Sequence, residues 1–134
     1  MATSIHEVLD ELSRQASSKA DKGSKLERLI AQYLRTDPVY ADQFSDVWLW
    51  QDWPGRGGKH DTGIDLVAVD RLTGGHVAIQ CKFFDQHSTI SKPDIDTFLS
   101  ASGKEGFTGR IIVSTTDRWN PHAEDAIQGQ QIPV

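Results

Sequence analysis

Cysteine is almost missing from this chain: Cys81 is the only one, so no internal disulfide can form and no thiolate zinc cluster can be built. That usage fits a reducing compartment, and the cytoplasm is the expectation. No run of about 18 apolar residues occurs, and the opening MATSIHEVLDEL is amphipathic and acidic without an apolar leader core. Neither a signal peptide nor a membrane span is expected. The histidines, His6, His60, His76, His87 and His122, are scattered without H-E-x-x-H or any cysteine–histidine spacing, which argues against zinc. The glycines of PGRGGKHD lack the G-x-x-x-x-G-K-[ST] spacing of a nucleotide-binding loop. Internal repeats, blocks of like charge and low-complexity segments are also missing, so nothing marks a second domain or a long disordered tail.

What remains is 134 residues with 37% hydrophobic content, enough for one domain with a real core and too few for two of ordinary size. Ser4 and Glu7 have capping-box spacing, and Ile5, Val8, Leu9, Leu12 and Ala16 follow a helical period, predicting a helix over 4–20. SSKADKG, residues 17–23, is expected to break it. A second helix is predicted from near Ser24, with Leu26, Leu29, Ile30, Tyr33 and Leu34 on one face, ending before Asp37-Pro38. FSDVWLWQDW, Phe44 to Trp53, reads as a strand buried on both faces, and Pro54 to Gly63 as a loop. GIDLVAVD and HVAIQCKFF, separated by RLTGG, read as an antiparallel hairpin. A helix over Ser91 to Ala101, a strand in GRIIVSTT, a helix after Asn120-Pro121 and a last strand in QQIPV complete the order α-α-β-β-β-α-β-α-β. The expected class is α/β, a sandwich of helices around a central mixed sheet. The abrupt close on QIPV suggests a domain cut from a longer polypeptide.

The chemistry concentrates in the hairpin. Asp65 lies in its first strand, and Gln80 and Lys82 in its second. Alternation puts Gln80 and Lys82 on one face and Ile79, Cys81 and Phe83 on the other. An amide and an ammonium aimed the same way in an apolar strand must be solvated, paired or functional, and a metal site beside Asp65 would satisfy both.

An Asp in one strand and Gln-x-Lys in the next resembles the core of the PD-(D/E)xK nucleases in their Mrr-like form. That family places an acidic residue on a preceding helix, and Glu27 in KGSKLERLIAQYL matches the position, at the edge of the apolar stripe, whereas Arg28 points away. IIVSTTDRWNPHAEDAI is similar to the family's post-catalytic strand, threonine turn and alanine-bearing helix. The likeness runs from about Lys22 to Ile127, read as the catalytic core of a single nuclease domain over 1–134. IHEVLDEL, DP-YADQFSDVWLW, WPGRGGKHDTGIDLVAV and QCKFF are more narrowly similar to the nuclease that opens type ISP restriction-modification enzymes, where a helicase-like translocase, a methyltransferase and a target-recognition domain follow.

The resemblance implies a Mg²⁺-dependent DNA endonuclease with a restriction-endonuclease-like fold, nicking one strand per site without sequence choice of its own, with Mn²⁺ as a substitute. Asp65, Glu27, the Gln80 side-chain oxygen and the backbone carbonyl of Cys81 would hold the ion, as hard oxygen ligands. A neutral Gln80 in place of a carboxylate implies weaker metal binding, completed by substrate phosphate. Lys82 would stand beside the attacking water as a point charge, a role that Arg would not fill. Plainer readings stand beside these. Asp65 could be a solvated strand-end residue, Gln80 and Lys82 an exposed strand face, and Ser24-x-x-Glu27 a capping box. Asp61 fits turn chemistry, Arg56 and Lys59 fit either phosphate contacts or a solvated loop, and Trp48, Trp50, Trp53 and Trp119 fit core packing. The net charge of −5 is the wrong sign for broad phosphate neutralisation. The rival function is a non-catalytic docking or nucleic-acid-binding module of the same fold, or a structure-specific nuclease.

Overall fold

A computed structural model describes residues 14, 19–56, 63–82, 88–103, 107–114 and 118–128. Most of the helix expected over 4–20, the loop carrying Lys59 and Asp61, Phe83 and the QQIPV strand lie outside the described residues.

The expected break after residue 17 does not end at Ser24. Helix α1 spans Lys19–Thr36 and takes in Gly23. A helical glycine costs only about 1 kcal/mol relative to alanine, and Gly23 has open space around its Cβ position, so it disturbs no packing. The stripe Leu26, Ile30, Ala31 and Leu34, packed on the sheet, compensates. Tyr33, expected on that stripe, is half-exposed and tilts instead against Tyr40. Asp37-Pro38 ends α1 as expected and also starts a helix that was not expected: α2, Pro38–Gln43, where the Asp37 carboxylate accepts from the amides of Val39 and Tyr40.

The sheet runs in the order β1 (Phe44–Leu49), β2 (Leu66–Asp70), β3 (His76–Lys82) and β4 (Phe107–Ser114). β1 pairs with β2 and β2 with β3 antiparallel, while β3 and β4 are parallel, so the sheet is mixed as expected. β1 corrects the reading of a doubly buried strand ending at Trp53. Among the described strands it lies at the edge of the sheet, with Ser45 and Asp46 exposed, and after Leu49 the chain folds into two short 3-10 turns, Trp50–Asp52 and Pro54–Arg56. Trp50 is buried, Trp53 packs on it at 5.4 Å, and Trp119 joins another cluster, which bears out the packing role for these three.

Period-two alternation divides the core. Leu66, Ala68, Val77, Ile79 and Cys81 face α1. Val67 and Ala78 face the other way, with Trp50, Ile64 and Phe98 of helix α3 (Lys92–Ser102). The parallel β3–β4 pair requires a crossover, and α3 supplies it. Ser91 and Asp94 form a capping box at its start, with Gly103 at its end. Helix α4, Pro121–Ile127, is capped by Asn120 and packs Ala123 against Ile90 and Ile95. Helices thus cover both faces of the sheet. None of the described helices is long and apolar enough to cross a membrane.

Candidate active site

Because β2 runs against β1 and β3, and β4 runs with β3, one end of the sheet gathers the end of β1, the start of β2 and the ends of β3 and β4. Asp65 sits there, one residue ahead of β2 rather than within it. Its backbone is held on both sides: its amide donates to Ile79 O at 2.9 Å, and its carbonyl accepts from Trp50 N at 2.9 Å. Its side chain reaches across to β3, where Oδ2 accepts from the Cys81 amide at 2.7 Å. The carboxylate thus closes the gap where the hairpin ladder stops. The N–H and C=O of one strand residue point to the same side, so the Cys81 carbonyl also lies on the β2 side, next to Asp65.

Gln80 points to the α3 face and is 3% exposed, and its Oε1 is buried with no hydrogen-bond partner among the described residues. A buried acceptor left unmet costs about 1–3 kcal/mol. Lys82 follows two residues on, half-buried, on the same face. Glu27 is half-buried and Arg28 exposed, as the helical wheel requires. Ser24 lies inside α1, which removes the capping-box reading of Glu27. Burial, then Asp65, then Glu27 push the Cys81 thiol well above its ordinary range, which puts both carboxylates within electrostatic reach of one residue. Asp65 and Cys81 are thus joined at one strand end, with Gln80 and then Lys82 on the α3 face and Glu27 on the α1 side, within electrostatic reach of Cys81.

The donors are two carboxylates, an amide oxygen and a backbone carbonyl. All are hard oxygens, suited to Mg²⁺ rather than to a soft metal, and the orphaned Gln80 oxygen fits a cation at that point. Among the described residues no group of three or more His, Cys, Asp or Glu side chains is arranged to hold a metal.

Two supports escaped the sequence reading. Gly63, at φ +91°, packs so closely on α3 that a Cβ would stand 3.1 Å from the Phe98 nitrogen and 3.2 Å from the Thr97 carbonyl carbon. It fixes the approach of the chain to Asp65. Arg110 is 4% exposed on β4, its guanidinium donating to Leu99 O at 3.2 Å and lying 3.4 Å from Ser102 Oγ, with burial lowering its pKa. It joins the last turn of α3 to the sheet. A charged residue amid the apolar GRIIV was the available signal for Arg110.

The fold is that of a restriction-endonuclease-like class, and the chain belongs to the restriction endonuclease family described by the Mrr_cat_2 model, which matches residues 35–134. Among solved structures it is similar to the ATP-dependent type ISP restriction-modification enzyme LlaBIII bound to DNA, with a TM-score of 0.75 and 31% identity over 93% of this chain. The chain spans 8% of that enzyme's chain. No curated protein matches it. The family match contains Asp65, Gln80, Cys81 and Lys82, whereas Glu27 precedes it.

Proposed function

We propose that this domain hydrolyses DNA phosphodiester bonds with Mg²⁺, accepting Mn²⁺, and nicks one strand per site without sequence choice of its own. The observation that carries the reading is the Asp65 carboxylate seated on the Cys81 amide, beside the buried and unpartnered oxygen of Gln80. Asp65, Glu27, the Gln80 side-chain oxygen and the Cys81 carbonyl would hold the ion, which supplies Lewis acidity toward the phosphate when bound.

The chain's own groups do the rest. Asp65, its backbone and carboxylate held by hydrogen bonds at 2.7–2.9 Å, presents its carboxylate without reorganising. The Lys82 ammonium favours loss of a proton from the attacking water and then faces the negative charge that builds on the phosphate oxygens. Gln80 adds an oxygen without adding charge, so the DNA phosphate is repelled less than a third carboxylate would repel it.

We read residues 1–134 as a single nuclease domain, with its core over about 22–127, working in the cytoplasm. The likeness to LlaBIII, which was solved bound to DNA, supports DNA as substrate; the type ISP resemblance implies a longer polypeptide in which a translocase, a methyltransferase and a target-recognition domain choose where cutting occurs. The test is conversion of supercoiled plasmid to open circles. Wild-type protein should nick with Mg²⁺ or Mn²⁺ and be inert in EDTA. Nicking that survives EDTA would contradict the metal role, and direct linearisation without open circles would contradict one strand per site.

A further inference from the structure

On the α3 face of the sheet, β3 and β4 both close on a polar residue at the same end. β3 passes from Ala78 to Gln80 to Lys82, and β4 from Arg110 to Ile112 to Ser114, with Ala78 beside Arg110, Gln80 beside Ile112 and Lys82 beside Ser114. Arg110 bonds to α3 and Ile112 packs with Phe98, which fixes this face of β4, while Ile111 and Val113 pack on the opposite one. Alternation therefore puts Ser114 on the same face as Lys82.

Paired strands lie roughly 4.8 Å apart. The Ser114 hydroxyl thus stands within reach of an oxygen anion held by the Lys82 ammonium. Both residues are half-buried, and both close parallel strands at their C-terminal ends, where open α/β sheets bind their ligands. Valine or isoleucine would suit the end of a strand better by packing alone. Serine forgoes that burial and supplies a donor.

We propose that Ser114 contacts the substrate: its hydroxyl donates a hydrogen bond to a non-bridging oxygen of the DNA phosphodiester that Lys82 faces. The inference rests on the nuclease reading of the Asp65 site. Lys82 supplies charge without direction, and Ser114 supplies direction without charge, so together they hold the phosphate in one orientation.

Wild type, Ser114→Ala, Ser114→Thr and Asp65→Ala should be compared in plasmid nicking over a range of Mg²⁺ concentrations, with thermal melting of each protein. Ser114→Ala is expected to slow nicking about tenfold with the half-saturating Mg²⁺ concentration and the melting temperature unchanged. Threonine, which keeps the hydroxyl, should restore most of the rate. Wild-type nicking by Ser114→Ala, beside a silent Asp65→Ala, overturns the proposal. So does a loss that threonine does not restore, or one accompanied by a shifted Mg²⁺ requirement or a lower melting temperature, since Ser114 would then only support the strand. If Asp65→Ala nicks like wild type, or the wild type does not nick, the site reading itself fails, and the role of Ser114 falls with it.

Discussion

At the scale of single residues, Gln80 shows how a site can be paid for in stability. Its oxygen is buried with no hydrogen-bond partner among the described residues, and a buried polar atom left so calls for an explanation. Gln80→Glu keeps the shape and adds a charge beside Asp65. Without metal, that uncompensated buried carboxylate should destabilise the fold by roughly 1–3 kcal/mol. Mg²⁺ should restore the loss and bind more tightly than it does to the wild type. Thermal melting with and without Mg²⁺ checks this, and a variant whose melting ignores Mg²⁺ would argue that no cation sits at residue 80. Much at this scale was legible beforehand. Asp65 with Gln80 and Lys82 stood out because period-two alternation puts two polar groups on one face of an apolar strand. The contact between Asp65 and the Cys81 amide was not legible, because it depends on where the hairpin ladder stops, and no local pattern records that.

Elements set the precision with which those residues meet. Gly63 comes two residues before Asp65, and its left-handed φ and its contact with the α3 backbone both require the missing Cβ. Gly63→Ala should cost about 1–2 kcal/mol for the φ alone, more with the steric contact, and should slow nicking by displacing Asp65. Urea unfolding read beside nicking decides it: a variant that matches wild type in both would show that this approach is not constrained. The capped helices α3 and α4 were readable from Ser91, Pro93, Asn120 and Pro121, since a cap is local chemistry. α2 was missed because Asp37-Pro38 carries two meanings, a stop for one helix and a cap for the next. The early start of α1 and the edge character of β1 were missed for the opposite reason, since tertiary packing overrode the local signals at Gly23 and in FSDVWLW.

For the molecule as a whole, the net charge of −5 opposes a DNA ligand. On the proposed reading the domain relies on a few contacts at the strand end. Each phosphate neutralised contributes roughly −0.9 to the slope of log affinity against log salt, so the isolated domain should bind weakly, with a shallow slope. Fluorescence anisotropy of a labelled duplex measures it. A tight complex with a steep slope would reveal a basic surface that this account lacks. The cluster around Asp65 and Lys82 is proposed to cut DNA, and metal-dependent nicking of supercoiled plasmid by wild type, Asp65→Ala and Lys82→Ala at high protein concentration and low salt decides it. Wild type should produce open circles, and both variants should lose at least about 100-fold. Nicking that persists in both would contradict it.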